Sequence, residues 1–290
     1  MQKTWIIVAA ILTALYGGLA AGQGNVIRIK GSDTLFVVAQ AWAGAYDRVN
    51  PEVTVSVGGG GSGTGFAALL DGLADIANAS RAVALSELEH AQRLDIRLIE
   101  HVVGYDALAV FLHKDNPLKS LSFSQLARIF GRGATLKRWT DLGVKVPGCK
   151  GQKIIRVGRQ NNSGTYVYFR SAILDSGSGF DLGILDMLSS KDVVHLVEKT
   201  PCAIGYSGLA YATPKVRLAC IARDDKSPCV NPSVESASDR SYAIARPLFM
   251  YLKDSATPAT RDYLDWILSD AGQCVLLKKG YAPIRKVECG

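Results

Sequence analysis

Short apolar stretches alternate with stretches of helical spacing along most of this chain. Residues 26–30 and 53–57 have the alternation of a strand, and residues 35–49 between them place apolar side chains on one face of a helix. The same order recurs over residues 74–103 and again over residues 154–174. Strand, turn and helix repeated in this way predict an α/β protein with a largely parallel sheet.

The rest of the chain continues the pattern, with residues 223–240 predicted as a polar loop. Further strands are predicted over 107–112, 203–207, 216–222 and 248–252, and further helices over 66–73, 86–94, 122–130, 193–199 and 259–277. A chain of 290 residues that is 48% hydrophobic is long enough to build two packed lobes. Its net charge of +7 favours anionic partners in general. Nucleic acid is not predicted, because acids interrupt the basic residues throughout.

The first residues have the features of a secretory signal peptide. Lys3 supplies a positive charge, residues 5–16 are apolar, and small residues follow as far as Gly24. We place the signal peptide at residues 1–21 and expect the remaining protein to be soluble and periplasmic. An uncleaved membrane anchor is the alternative, although the apolar run is shorter than the roughly 20 residues that a span needs.

The cysteines all lie in the second half of the chain. An even number of cysteines in an exported chain predicts disulfides, with buried free thiols as the alternative. One pairing among several joins neighbours along the sequence: Cys220 with Cys229 and Cys274 with Cys289, which leaves Cys149 with Cys202. No metal site is predicted, because Cys-x-x-Cys is lacking and the four histidines are scattered.

A small signature occurs twice, about a hundred residues apart. Ser62-Gly63-Thr64 and Ser163-Gly164-Thr165 each follow a predicted strand and open a predicted helix. The start of a helix offers free backbone N–H groups, hydroxyls and the positive end of its dipole. Because ligands of open α/β sheets sit beyond the carboxyl ends of the strands, two such loops facing one another would form a cage for a small anion.

Other polar residues follow predicted strands in the same manner. Ser32 and Thr34 can cap the first helix and donate hydroxyls, and Ser80 with Arg81 closes the third strand. Arg159 precedes the second Ser-Gly-Thr loop and is a candidate for a bidentate clamp on a tetrahedral oxyanion. These positions extend the predicted anion site.

Two enzymatic or cofactor-binding interpretations compete with the anion cage. Residues 58–63 satisfy Gly-x-Gly-x-x-Gly with Asp75 downstream, but a dinucleotide site would leave the second loop unexplained, and no lysine completes a P-loop. An exported phosphatase or esterase using Ser62 or Ser163 stays open. Neither serine has a base adjacent in sequence, although distant residues can converge on a nucleophile.

Longer motifs carry a family resemblance that covers nearly all of the chain after the signal peptide. They lie at residues 31–34, 62–65, 75–81, 105–110, 126–131, 139–143, 159–165 and 203–209. In this order they resemble the phosphate-binding proteins that serve high-affinity phosphate ABC transporters. The resemblance implies a type II periplasmic-binding-protein fold, an α/β protein with two lobes, each a mixed sheet flanked by helices, and a ligand cleft between them. We place lobe I at residues 22–112 and 246–290, and lobe II at residues 113–245.

The resemblance also implies a set of ligand-binding residues. It places seven positions around phosphate: Ser32, Thr34, Ser62, Arg159, Ser163, Gly164 and Thr165. To these we add Ser80, Arg81 and Asp106. Some family members carry an aspartate after the third strand that accepts the proton of HPO4²⁻, whereas Ser80-Arg81 matches another branch. Asp33, Asp75 and Asp106 are the candidates here for that role, with Asp106 and Asp33 ahead of Asp75.

The function implied is binding without chemistry. We expect an exported, monomeric solute-binding protein that needs no cofactor, captures inorganic phosphate and delivers it to a membrane ABC permease. Sulfate, a phosphonate or arsenate is the alternative ligand, and an exported phosphatase is the alternative activity.

Overall fold

The computed structural model describes residues 25–174 and 178–290. The predicted signal peptide at residues 1–21 therefore lies outside the described residues. The strands in chain order are β1 (Asn25–Gly31), β2 (Val53–Gly58), β3 (Ile76–Ala79), β4 (Leu98–His113), β5 (Ser120–Ser122), β6 (Ile155–Arg159), β7 (Leu185–Met187), β8 (Ala203–Gly208), β9 (Val216–Leu218), β10 (Cys220–Ala222) and β11 (Ala245–Lys253). The α-helices are α1 (Asp33–Tyr46), α2 (Ser62–Leu70), α3 (Leu85–Arg93), α4 (Phe123–Phe130), α5 (Gly164–Ile173), α6 (Ser190–Lys199), α7 (Val234–Ser238), α8 (Pro258–Leu268) and α9 (Asp270–Lys278).

Most strands belong to one mixed sheet that continues through both halves of the molecule. Its order is β2-β1-β3-β11-β4-β8-β6-β7, and β9 also pairs with β4. Strands β1, β2 and β3 are parallel, as are β6, β7 and β8, while β11 and β4 are antiparallel to their neighbours. The mixed α/β architecture confirms the predicted fold class.

Strand β4 passes from one half of the sheet to the other. It pairs with β11 up to Ala107 and with β8 from Leu108 onward. The chain enters the second half along β4 and returns along β11, so these two strands form the crossing between the lobes. The division of the lobes at residues 112 and 246 stays a prediction.

Each half of the sheet has its own core. In the first half, the buried Trp42 of α1 donates from Nε1 to Gly272 O of α9 at 2.7 Å, and Phe66 of α2 packs edge-on against Tyr251 on the opposite face. In the second half, the rings of Phe169 and Tyr206 stack at 3.9 Å between centroids. Burial of such large side chains holds the helices firmly against the sheet.

Several element boundaries differ from the prediction. The two strands predicted over 98–103 and 107–112 form one strand, β4. The residues between them stay extended because β4 is hydrogen-bonded to β11 along its first part and to β8 along its second. The helix predicted over 259–277 is interrupted at Ser269, whose extended backbone ends α8 and precedes α9. The strand predicted over 216–222 is divided into β9 and β10, which pair with different partners. The polar loop at 223–240 contains the short helix α7.

The three cysteine pairs are those favoured from the sequence. Disulfides join Cys149 to Cys202, Cys220 to Cys229, and Cys274 to Cys289. The pairing is therefore confirmed and fits an oxidising compartment. Across the described residues, no helix combines the length and the apolar character that a membrane crossing requires.

Candidate functional site

Three helices begin where strands of the sheet end. Helix α1 starts at Asp33 directly after β1, α2 starts at Ser62 after β2, and α5 starts at Gly164 after β6. Helix α2 thus begins four residues before the predicted Phe66, with the Ser-Gly-Thr signature in its first turn. The N–H groups of a first helical turn have no acceptor within their own helix, so each of these starts presents free donors.

The two Ser-Gly-Thr loops meet. Gly63 N donates to Asn162 O at 3.0 Å, and Asn162 Nδ2 donates to Gly60 O at 2.9 Å. A methyl group added at Gly164 would lie only 2.3 Å from Ser62 Oγ, so glycine is required for this close approach. The first and second loops therefore face one another in direct contact, as the sequence predicts.

Buried hydroxyl groups occupy the space between these helix starts. Ser32 Oγ donates to Ser80 Oγ at 2.8 Å, and Ser80 N donates to Ser62 Oγ at 3.1 Å. Thr34 Oγ1 and Thr165 Oγ1 are 2.8 Å apart and share a hydrogen bond. We call the following set of side chains, which all lie at buried positions, the hydroxyl cluster: Ser32, Thr34, Ser62, Ser80, Ser163 and Thr165.

Arg159 lies beside the cluster but is already engaged. Its Nη2 contacts Asp33 Oδ2 at 2.5 Å, and its Nη1 donates to Ser190 Oγ at 2.9 Å. Nε and Nη2 also donate to the carbonyl oxygens of Met187 and Leu188. Burial lowers the pKa of Arg159 and Asp33 opposes that shift.

This arrangement changes the predicted role of Arg159. A guanidinium has five N–H donors, and within the described residues four of those of Arg159 are engaged. The bidentate clamp predicted for Arg159 is therefore not the geometry of this structure. One N–H on Nη1 is left for a ligand, and the pair with Asp33 joins α1 to β6 across the cleft.

A second buried arginine, which sequence reasoning missed, lies among the hydroxyls. Arg246 of β11 binds Asp106 of β4 through Nε at 3.1 Å and Nη2 at 2.8 Å, and both side chains are fully buried. Its Nη1 donates to Ser80 O at 3.2 Å, and its Nη2 also donates to Thr34 Oγ1 at 3.1 Å and Thr165 Oγ1 at 3.0 Å. One feature of the sequence could have pointed to Arg246: it is a charged residue at the start of an apolar strand. Arginine is rarely buried at such a position without a partner.

The charged ends of two predicted residues have partners outside the cluster. Arg81 pairs with both carboxylate oxygens of Glu87, at 2.7 and 2.6 Å, and stacks over the ring of Phe66. Asp75 forms a surface pair with Arg28. Of the candidate aspartates, the structure thus brings Asp33 and Asp106 to the site and leaves Asp75 outside.

The buried charges of the site form two ion pairs, Arg159 with Asp33 and Arg246 with Asp106. Each arginine has its own aspartate, so a ligand would meet hydroxyls and helix N–H groups around two neutralised ion pairs. Complete burial raises the pKa of Asp106, and Arg246 opposes that shift. No group of His, Cys, Asp or Glu side chains suited to a metal ion occurs among residues 25–174 and 178–290. Such a donor-rich, enclosed site suits a small oxyanion.

Comparison with known proteins identifies the family. The family model described as the PBP superfamily domain matches residues 19–271. The phosphate-binding protein PstS of Pseudomonas aeruginosa is 33% identical over 96% of this chain and 89% of its own length. The chain belongs to the PBP superfamily and, within it, to the PstS family.

Other members extend this relationship. Protein SphX of Synechococcus elongatus is 32% identical over 96% of this chain and 83% of its own length. A crystal structure of a phosphate ABC transporter substrate-binding protein from Clostridium perfringens, with bound phosphate, is 25% identical and has a TM-score of 0.79 over 90% of this chain and 100% of its own. An ABC-type phosphate transport receptor from Vibrio cholerae shares the fold, with a TM-score of 0.68 at 24% identity over 89% of this chain and 100% of that one. The two-lobed fold expected from the sequence is the fold of the PstS family.

Proposed function

We propose that this protein binds inorganic phosphate in the hydroxyl cluster and delivers it to a membrane ABC permease. The observation that carries the proposal is the meeting of the α2 and α5 helix starts, where Gly164 approaches Ser62 Oγ and Ser80 Oγ. Phosphate is small, tetrahedral and rich in acceptors, which matches a site made of hydroxyl and amide donors. The PstS relatives support the same ligand.

The two carboxylates favour phosphate over sulfate. Asp33 and Asp106 border the cluster, and a carboxylate oxygen in contact with an oxyanion is tolerated only where a proton lies between them. HPO4²⁻ carries such a proton at neutral pH, whereas sulfate does not. Discrimination by an unfavourable contact of this kind is an effective route to specificity.

Binding without turnover is the activity that we propose. Ser62 Oγ accepts a hydrogen bond from Ser80 N, and Ser163 Oγ accepts one from Thr165 N. Among the described residues, neither serine is hydrogen-bonded to a histidine that would activate it as a nucleophile. The PstS relative from Pseudomonas aeruginosa is a phosphate-binding protein, which agrees with this proposal.

Periplasmic location and cleavage after residue 21 belong to the same proposal. The three disulfides support export to an oxidising compartment. Sequencing the N-terminus of the mature protein tests the cleavage position.

Calorimetric titration of the purified protein tests the ligand. The protein is first freed of captured anions by partial unfolding and dialysis, and is then titrated with phosphate and with sulfate at the same ionic strength. We expect saturable 1:1 binding of phosphate and much weaker binding of sulfate. Equal affinities, or hydrolysis of a chromogenic phosphate ester that is lost in Ser62→Ala, would contradict the proposal.

A further inference from the structure

Arg246 has contacts that go beyond neutralising Asp106. Its Nη2 donates to Thr34 Oγ1 at 3.1 Å and to Thr165 Oγ1 at 3.0 Å. Thr34 lies in the first turn of α1 in the first half of the sheet, and Thr165 lies in the first turn of α5 in the second half. Arg246 itself lies on β11, one of the two crossing strands. A single nitrogen therefore binds hydroxyls from both sides of the cleft.

The donor and acceptor count of the two threonines fixes the direction of their protons. A hydroxyl has one proton and two acceptor positions, and a guanidinium can only donate. One Nη2 proton is bound to Asp106, so both threonine oxygens accept from Arg246 by sharing the other, and one of the two hydroxyl protons is used in the bond between Thr34 and Thr165. The other proton remains and is directed away from the guanidinium.

The orientation of Arg246 is itself held from three directions. Asp106 accepts from Nε and Nη2, Ser80 O accepts from Nη1, and the two threonines accept from Nη2. Asp106 is the direct neighbour of Arg246 across β4 and β11, so backbone pairing sets the position of both residues. The pair adds no net charge to the site, so Arg246 favours an anion through the hydroxyls that it orients rather than by its own charge.

We propose that Arg246 is a positioning residue for anion binding. By donating to Thr34 and Thr165 it holds the two sides of the closed cleft together and directs the free threonine proton toward the bound anion. This inference rests on the proposed phosphate function. It predicts that replacing Arg246 weakens phosphate binding only while the threonine hydroxyls are present.

The test is a double-mutant cycle read out as the dissociation constant for inorganic phosphate. Arg246→Lys keeps the charge beside Asp106 but cannot bind Asp106 and both hydroxyls through one planar fork. We expect it to raise Kd about tenfold or more, the loss associated with hydrogen bonds to a charged group. Thr165→Val removes one hydroxyl at nearly constant volume and should cost a similar factor, and Thr165→Ser should regain most of that loss.

The double variant Arg246→Lys with Thr165→Val distinguishes positioning from a general structural effect. If Arg246 acts through the hydroxyl, the double variant binds about as weakly as the weaker single variant. Arg285→Met, which removes an exposed pair with Asp270, serves as the control and should bind phosphate normally. Thermal unfolding of each variant reports whether the fold is retained.

Each outcome has a distinct meaning. Arg246→Lys binding phosphate as tightly as wild type would overturn the inference, as would losses from Arg246→Lys and Thr165→Val that multiply in the double variant. If Arg246→Lys does not fold, a loss in Thr165→Val without recovery in Thr165→Ser overturns it equally. If the wild-type protein binds no phosphate, the proposed function fails instead, so the two failures are distinguishable.

Discussion

The pair between Arg159 and Asp33 offers a sharp test of how the cleft binds an anion. The Arg159 side chain is 1% exposed and that of Asp33 is 11% exposed, and the pair joins β6 to α1 across the cleft. Arg159→Met removes the cation, and it leaves the Asp33 carboxylate without its partner beside the incoming phosphate. Both effects oppose anion binding.

The expected size follows from the burial of this pair. Removing one partner of a buried ion pair costs about 3–5 kcal/mol, and hydrogen bonds to a charged group are worth about 1.5–3 kcal/mol each. Because the pair forms across the cleft, its loss also lowers the population of the closed form and so raises the apparent Kd. Taking about 3 kcal/mol, we expect Kd for phosphate to rise about 150-fold.

Calorimetric titration of three variants measures this effect and isolates its cause. Arg159→Met combined with Asp33→Asn removes the unpaired carboxylate as well, so it should bind phosphate more tightly than Arg159→Met alone. Arg156→Met is the matched control, because Arg156 lies on the same strand and binds Asp181 at 2.6 Å away from the hydroxyl cluster. If Arg159→Met binds within about fivefold of wild type, the cross-cleft pair does not contribute as reasoned.

Three further predictions concern closure, stability and pH. Gly164→Ala should raise Kd for phosphate about tenfold or more and lower the thermal midpoint, because the added methyl group overpacks the contact with Ser62 Oγ and Ser80 Oγ; wild-type affinity with an unchanged midpoint would refute the close approach. Replacing Cys149 and Cys202 by serine opens a sequence separation of 53 residues and should lower the free energy of unfolding in urea by about 4 kcal/mol, so an unchanged value would contradict the loop-entropy estimate. The Arg156 hydrogen bond holds the pKa of Asp181 below its ordinary value, so this stabilisation is present at neutral pH and is lost as pH falls through that lowered pKa. The difference in unfolding free energy between wild type and Arg156→Met should therefore shrink in acid, and a constant difference would contradict the assignment.

The local patterns of the sequence were sufficient to place the two Ser-Gly-Thr loops beyond the ends of strands, although α2 begins four residues before its predicted start. Ser62 and Gly164 follow strand patterns directly, and the parallel arrangement of such strands places their carboxyl ends together. Arg246 could not be predicted in the same way, since its partner Asp106 is 140 positions distant along the chain and only the pairing of β4 with β11 makes them neighbours.

The partners of two arginines show the same limit. The sequence around Arg159 does not show that its Nη2 pairs with Asp33, which lies 126 positions away. Arg81 directly follows Ser80, yet its guanidinium pairs with Glu87, since successive residues leaving a strand point in different directions. Local patterns therefore indicate where backbone donors converge, whereas the partners of long charged side chains depend on tertiary contacts.

A crystal structure of the protein grown with phosphate, after removal of captured anions, tests the binding site most directly. We expect one tetrahedral ion enclosed by the starts of α1, α2 and α5, with a threonine hydroxyl beside Arg246 donating to it. An ion bound elsewhere on the molecule, or a cluster that stays closed on itself at saturating phosphate, would contradict the assignment.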